Sequence, residues 1–486
     1  MIPPATFSKE LADYLSSISP QTLESFEKGL AIEKRTSVRV NTLKSAPEKI
    51  RKTLEAAGFK VQPLEFYRDA WRIEEEPTLI SKTLEHFLGL IYIQGVASMM
   101  PPLVLNPTST DLVLDISAAP GSKTTQLAQM MGNKGCLVAN DWDGKRIKTL
   151  SHNLDRMGII NAAMVHMPGE RIGTILPEVF DKVLVDAPCS ALGVIHKAPE
   201  AVENLKFVQK YAFIQEQLLI SALKAVKTGG KVVYSTCTVS PDENEKLIEK
   251  MLHKYPIELE QISIDPSIRS MEGITSHTDW VGDPTLKQCV RLVPSEINPE
   301  GFFVATVRKK GPVEGQPAKR EFPNPKNHHE LTGPDNPTIR QMGLYFEDRF
   351  GIPASIWDQY LFHIKEEEIL VTSAEWSGRE DLLNRIFTHR VGTRIARTRR
   401  AGEWKLSTNA AQLFADHIHD NLIPLSEPSD IETYLAAGMI RKSFGIESGG
   451  VVVSGNGYVL GCGVIHQGAL KSQMPKSRKV LAVDIY

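Results

Sequence analysis

Residues 113–130, VLDISAAPGSKTTQLAQM, constrain the fold most tightly. The apolar run Val113 to Ile116 stops at a turn of small residues, Ser117 to Lys123, that opens a stretch of helical character. A buried strand feeding a tight turn and then a helix is the first unit of a doubly wound α/β sheet. Ligands of such sheets bind beyond the carboxyl ends of the strands, against helix N-termini. Gly121 frees the backbone for a close approach. A P-loop would need Gly where Ile116 stands, and Ser122 separates Gly121 from Lys123. The dinucleotide pattern G-x-G-x-x-G is absent from the turn. The turn reads either as a plain βα connection or as the cradle of some other nucleoside-bearing ligand.

The neighbouring sequence keeps the same rhythm from 111 to 310. Strands are expected at 112–116, 136–140, 162–166, 181–186 and 230–235, with GFFVATV at 301–307 as a late strand. Helices are expected at 122–131, 143–157, 203–227 and 242–254. Before this block, TFSKELADYLSSI reads as a helix between Thr6 and Ser19-Pro20, Ser37 to Thr42 as a strand, and Pro47 to Gly58 as a helix. GLIYIQGVASMMPP reads as a strand followed by a core helix. After it, residues 311–336 are polar, rich in Pro and Gly, and read as a linker. Residues 337–400 read as aromatic-rich helices and loops. Arginines at 390, 394, 397, 399 and 400 fit either a solvated face or a phosphate-contacting strip. Residues 401–486 read as a small α+β unit.

A chain of 486 residues, 42% hydrophobic, can bury several cores. Its net charge of −2 neither demands nor forbids a nucleic-acid partner, because a local basic face is enough. Five cysteines with no C-x-x-C pair argue against a disulfide framework or a zinc ribbon, and no metal is expected. A reducing, cytoplasmic setting is expected. The N-terminus does not read as a signal peptide, no apolar run reaches 18 residues, and no membrane partner is expected.

Three strand ends carry further chemistry. Asn140-Asp141-Trp142-Asp143 follows the second strand, where a carboxylate can accept both hydroxyls of a ribose. Asp143 is better placed to cap the next helix, which leaves Asp141 for the sugar. Asp186-Ala187-Pro188-Cys189-Ser190 follows the fourth strand and Ser235-Thr236-Cys237-Thr238 the fifth. A single cysteine is most often a small buried hydrophobe. Two at neighbouring strand ends, with a carboxylate and Lys123, open onto one crevice. A thiolate beside a sulfonium donor is the chemistry of pyrimidine C5 methylation. Thiolate addition to C6 makes C5 nucleophilic, and an acid near N3 offsets the charge that builds on the ring.

DISAAPGSKT, the acid after the second strand, DAPCSALG, STCTVSPDENE and the distal GFFVA occur in the order found in one family. The chain resembles the NOL1/NOP2/Sun family of RNA cytosine-C5 methyltransferases over about 200 residues. SVRVNTL and IYIQGVASMMPP are similar to that family's N-terminal segments. The resemblance implies a Rossmann-like S-adenosylmethionine-dependent core at 106–310, between an N-terminal α+β RNA-binding region at 1–105 and a middle domain at 337–400. It implies Cys237 as nucleophile, Cys189 in release of the covalent product, Asp186 near the base N3 and the methyl donor, and Lys123 in the same pocket. Ser117, Ala118, Ala119, Pro120, Gly121, Ser122 and Lys123 would cradle the methionine part of the cofactor, with Asp141 on its ribose and Asp186 nearby. Two departures stand out. Pro168 lies where the family usually has an adenine-contacting Asp, and Ala191 where it commonly has Gly. Proline offers no side-chain acceptor, so the adenine would turn to a backbone carbonyl or to Glu170.

The segments around Thr433 to Gly438, Gly461 to Gly463 and Leu470 to Arg478 look like the PUA-like RNA-binding module appended to bacterial small-subunit rRNA methyltransferases of the family. Residues 401–486 are expected to form it. Arg39, Arg397, Lys471, Lys476 and Arg478 are the expected RNA contacts. The implied partner is 16S rRNA, free or within the 30S subunit, bound by a monomer. The alternatives are a tRNA substrate or, from a different class, a non-catalytic RNA-binding assembly factor. A DNA methyltransferase fits less well, because such enzymes use the Pro-Cys cysteine as nucleophile.

Overall fold

The computed structural model describes residues 9–30, 32–194, 205–313, 328–398 and 403–475. Its centre is a ten-stranded sheet. The strands Ala162–His166, Cys136–Asp141, Leu112–Asp115, Phe180–Asp186 and Val226–Thr236 lie side by side in that order, all parallel. Phe302–Lys309 runs antiparallel beside Val226–Thr236, and Val290–Leu292 and Ser270–Glu272 continue that edge. Alternate residues enter opposite cores. Leu112, Leu114, Val183 and Val185 pack on one face, and Val113, Leu137, Ala139 and Leu184 on the other. Burial on both faces is what makes these strands continuous apolar runs. The strand order reverses between Leu112–Asp115 and Phe180–Asp186, the crevice where open α/β sheets bind ligands.

Helix ends follow their local chemistry. Asp143 caps Gly144–Met157 by accepting from the Lys145 and Arg146 amides, and Gly158 closes that helix in the left-handed region at φ 71°. The helix Ser122–Met130 begins at Gly121, whose φ of 109° a side chain would resist.

A four-stranded antiparallel sheet at the N-terminal end contains Lys60–Leu64, Tyr67–Glu75, Ser37–Val40 and Ile91–Ile93. Arg39 in this sheet is fully buried, which corrects its expected role in RNA binding. Its guanidinium donates to Gln94 Oε1 at 3.0 Å, to Thr125 Oγ1 at 2.7 Å and to Gln129 Oε1. The arginine therefore joins the N-terminal sheet to the helix Ser122–Met130. The strand alternates, but both its faces are covered, so its polar side chain points into an interface rather than into water.

The region after 337 differs from the expected helices and loops. The helix Pro337–Phe350 packs on a four-stranded antiparallel sheet of Tyr360–Lys365, Glu368–Ser373, Thr393–Thr398 and Trp404–Leu406. Phe346, Phe362, Val371 and Ile395 form its core. Trp404–Leu406 belongs to this sheet, so the expected boundary at 400/401 falls inside one structural unit. Thr388–Val391 leaves it and pairs antiparallel with Ala162–His166, extending the central sheet. The final sheet orders Leu422–Leu425, Gly449–Gly455, Tyr458–His466, Ala469–Ser472 and Met439–Ile440, with its first pair parallel. Ile423 and Val453 of this sheet, with Tyr434 of the helix Pro428–Leu435, share one core with Val38 and Trp71 of the N-terminal sheet. Among the described residues no helix is long and apolar enough to cross a membrane.

Candidate active site

The parallel strands deliver their last residues to one edge. Asn140 ties three of the connections together: its side chain donates to the Ile116 carbonyl at 3.0 Å and accepts from the Met167 amide at 3.2 Å, while its own carbonyl accepts from Ala118 at 2.7 Å. Asp141 is buried there. Its Oδ2 accepts from the Ala119 amide at 3.2 Å and lies 3.4 Å from the Arg146 guanidinium, and its Oδ1 accepts from the Asp143 amide at 3.0 Å. The expected ribose acceptor thus also fixes the turn at Ala119. Trp142, next in the chain, stands 71% exposed. Pro168 is half-buried and precedes the short 3₁₀ turn Gly169–Arg171, and Glu170 is exposed.

Lys123 reaches from the first turn of its helix across to Asp186. Its Nζ donates to Asp186 Oδ2 at 2.7 Å and to Ser98 Oγ at 3.1 Å, and lies 5.7 Å from the centre of the Phe302 ring. Ser235 Oγ donates to Asp186 Oδ1 at 2.8 Å, so both carboxylate oxygens are held. Burial pulls the Lys123 pKa down, but attraction to Asp186, Cys237 and Asp115 outweighs it, and the net direction is upward. Lys123 is therefore a fixed cation beside both the carboxylate and the Cys237 sulfur.

The two cysteines meet although 48 residues part them: their Sγ atoms are 3.1 Å apart. The Cys189 pKa rises well above that of an ordinary thiol. The bond to Cys237 is the largest cause, and burial, the charge of Cys237 and Glu243 follow. Cys189 is thereby held as a neutral thiol against its neighbour.

Glu243, in the SPDENE segment, shapes the loop that carries Cys189, and it was not singled out from the sequence. Its carboxylate accepts from the Ser190 amide at 3.0 Å, from Ser190 Oγ, and from Gln215 Nε2 at 2.8 Å. Glu245 makes a buried two-pronged pair with Arg291, both contacts at 2.6 Å, which anchors the same segment. The signal was present as three acids in five residues shortly after STC. Nothing in that pattern says which of them turn inward. Gly193 has a close-packing reason to be glycine. An added Cβ would lie 2.0 Å from the Gly301 carbonyl oxygen and 2.8 Å from that of Cys237.

The expected RNA residues are dispersed. Arg394 and Arg397 both bond Glu368 Oε1, at 2.6 Å and 2.8 Å, and Arg397 remains exposed. Arg390 is half-buried against Asp155 at 3.0 Å. Arg394, Arg397, Lys405, His466 and Lys471 line a cleft of about 790 Å³ between the middle and C-terminal sheets. Lys476, Arg478, Arg399 and Arg400 lie outside the described residues.

A Rossmann-like sheet with this switch-point site is the fold of an S-adenosylmethionine-dependent methyltransferase. Residues 102–308 match the family model described as 16S rRNA methyltransferase RsmB/F, and residues 4–96 match the model for the N-terminal domain of 16S rRNA methyltransferase RsmF. The chain is 31% identical over 476 residues to ribosomal RNA small subunit methyltransferase F of Shewanella woodyi, covering 96% of this chain and 95% of that one. The protein of the same name from Vibrio campbellii is 31% identical over 455 residues, covering 91% of each chain. Among solved structures, a methyltransferase homolog protein from Pyrococcus horikoshii is 34% identical with a TM-score of 0.55, covering 62% of this chain and 95% of that one. NSun6 from Pyrococcus horikoshii with SFG is 25% identical with a TM-score of 0.54, covering 63% and 99%. The chain belongs to the ribosomal RNA small subunit methyltransferase F family, and it is a methyltransferase.

Proposed function

We propose that the protein methylates C5 of one cytosine in 16S rRNA through a covalent cysteine adduct. The observation that carries this reading is the Cys189–Cys237 pair, set beside the Lys123–Asp186 ion pair at the ends of neighbouring strands. The residues present fit the cofactor. The turn 117–123 meets the buried Asp141 carboxylate, and Asp115 Oδ1 is a buried acceptor with no partner among the described residues. Bound S-adenosylmethionine supplies an electrophilic methyl group.

Cys237 Sγ adds to C6 of the flipped cytosine, and Lys123 stabilises the thiolate that does so. The Asp186 side chain, held by Lys123 and Ser235, orients the ring from its N3 side, and the Lys123 ammonium offsets the negative charge that builds there. C5, now nucleophilic, gains the methyl group. Water takes the C5 proton, the C5–H electron pair forms the C5=C6 double bond, and the C6–S bond breaks with its pair on Cys237, which leaves as a thiolate that accepts a hydrogen bond from the neutral Cys189 thiol. The target base must leave its stack to reach the pocket.

The cleft between the middle and C-terminal sheets supports a role in holding the RNA backbone, with Arg397 and Lys471 as contacts. A monomer acting in the cytoplasm on rRNA, free or within the 30S subunit, completes the reading. The test is incubation with methyl-labelled cofactor and 30S particles, naked 16S rRNA or tRNA. Label at C5 of cytosine in small-subunit RNA is expected, and label confined to tRNA would overturn the substrate assignment.

A further inference from the structure

The helix Val208–Ala225 leads into the strand Val226–Thr236, and its first turns lie against the loops that carry both cysteines. Gln215 Nε2 donates to the Pro188 carbonyl at 2.9 Å. Val208 packs in one cluster with Leu192, from the loop after Cys189, and with Val239, from the loop after Cys237. Leu11, Leu15 and Phe26 of the N-terminal helices close that cluster from outside. One face of these turns is thereby fixed beside the reacting sulfurs.

The opposite face is bare. Phe213 is 65% exposed, and Phe207, in the short 3₁₀ turn 205–207 that precedes the helix, is 44% exposed. Lys206 and Lys210 are exposed as well, and neither joins an ion pair among the described residues. Lys210 and Phe213 are three residues apart and so are neighbours on one helix face. Glu216, the only acid of the helix, is held by Lys250 at 2.7 Å and leaves the patch positive.

A single exposed aromatic ring needs no explanation. A ring among unpaired ammonium groups, next to a pocket that must receive an extruded base, has one. An apolar protein surface laid over it would bury those charges without partners. A single strand of RNA meets both demands, because its unstacked bases lie on aromatic rings and its phosphates take the cations. Extruding the cytosine also strips one face of the neighbouring base of its stacking partner. Arg39 is buried, and the lining of the basic cleft between the middle and C-terminal sheets includes none of these residues.

We infer that this face of the helix Val208–Ala225 is the rest for the RNA strand beside the target: Phe213 stacks on the unpaired base that adjoins the extruded cytosine, and Lys206 and Lys210 meet the adjoining phosphates. The inference rests on the RNA reading above. It narrows the substrate to a cytosine whose neighbour is itself unpaired, since a paired and stacked base offers no free face.

The test is filter binding of the full chain to naked 16S rRNA and to 30S particles over a range of salt. Phe213→Ala is expected to weaken binding to naked rRNA by about five- to a hundredfold, the effect of losing one base–aromatic stack. Phe213→Trp should keep the affinity. Phe213→Leu, which retains apolar bulk without a ring, should lose it. Lys206→Ala and Lys210→Ala should each reduce the slope of log K against log salt by about 0.7, the value for one phosphate of a single strand. Thermal unfolding and binding of S-adenosylmethionine should match wild type in all five variants, because the side chains are exposed. Wild-type affinity in Phe213→Leu, or an unchanged salt slope in both lysine variants, would overturn the proposal. So would a Phe213→Ala defect seen with 30S particles alone, which would assign the face to a ribosomal protein. Failure of the wild type to bind rRNA at all would instead overturn the RNA reading.

Discussion

Cys189 and Cys237 come within 3.1 Å because strands Phe180–Asp186 and Val226–Thr236 are parallel neighbours with Asp186 opposite Ser235. Each cysteine then lies a few residues beyond a paired position. The pair is asymmetric: Cys189 is held as a thiol, while Lys123 lies close enough to Cys237 for the two to interact electrostatically. Asymmetry of this kind divides nucleophile from hydrogen-bond donor. Cys237→Ala should give neither adduct nor product. Cys189→Ala should still attack C6 but release poorly, so a protein–RNA adduct should accumulate as a slower band on a denaturing gel.

Arg39 provides a contrast between stability and binding. Burial lowers its pKa to about 10, so it stays charged at neutral pH while fully enclosed. Gln94, Thr125 and Gln129 supply its acceptors, and Gln129 also donates to Asp69 Oδ2 at 3.2 Å. Arg39→Ala would strand those groups in the interface, at a cost on the order of 3 kcal/mol. Denaturant unfolding should record that loss. RNA affinity of the folded variant, measured by filter binding, should stay within about twofold of wild type. A large drop in affinity with unchanged stability would restore Arg39 as an RNA contact.

Glu243 acts on the reaction only through the loop it holds. Its pKa is raised, chiefly by burial, with the Ser190 and Gln215 bonds pulling the other way. Glu243→Ala removes acceptors from the Ser190 amide, the Ser190 hydroxyl and Gln215 together. Displacing a reacting group by about 1 Å can cost about a hundredfold in rate. We expect kcat to fall by about that factor with KM for cofactor little changed, as read by single-turnover methyl transfer.

Most of the central sheet and the strand-end chemistry could be read from sequence for one physical reason. Parallel strands are buried on both faces, so they appear as unbroken apolar runs, and their carboxyl ends mark the site without knowledge of packing. That rule places Asp141, Asp186, Cys189 and Cys237 at one edge, the turn after the first strand adds Lys123, and the family resemblance suggests what each of them does. Residues whose role depends on which way a side chain turns were not legible. Arg39 alternates as a surface residue would, yet the helix Ser122–Met130 covers it. Asp115 looks like any acid at the end of a strand until its unpartnered oxygen is seen. In the middle region, short strands such as Trp404–Leu406 take their stability from Phe346 and Trp357 elsewhere in the chain. Periodicity over three residues carries little information about such a strand.

The basic cleft between the two C-terminal sheets makes a prediction about salt. Lys471 is exposed on its wall, opposite Arg394 and Arg397, whose charges are partly offset by Glu368. Removing a lysine that meets a phosphate weakens binding across all sequences and makes it less sensitive to salt. Lys471→Glu should lower rRNA affinity and reduce the slope of log K against log salt by about 0.7 to 0.9 for each phosphate that the lysine neutralises. An unchanged slope would show that this face of the cleft does not meet the RNA backbone.

The DAPCSALG loop carries a strained residue whose relief can be measured. Ala191 sits at φ 60°, in the left-handed region where a Cβ crowds the backbone and glycine does not. Two residues on, Gly193 donates to the Cys237 carbonyl at 2.9 Å and accepts from the Gly301 amide at 2.8 Å. The loop is thus pinned to the strand end that bears the second cysteine, and Ala191 cannot relax without moving Cys189. Ala191→Gly should remove the strain at some cost in unfolded-state entropy, for a net gain of about 1 kcal/mol at most. Gly193→Ala should do the opposite, because its Cβ would collide with the Gly301 carbonyl and push Cys237 away from Cys189. Thermal unfolding and single-turnover rates measured together test the pair. Ala191→Gly is expected to unfold at a higher temperature with its rate retained, and Gly193→Ala to lose most of its rate. Retained activity in Gly193→Ala would show that the Cys189–Cys237 spacing does not depend on this contact.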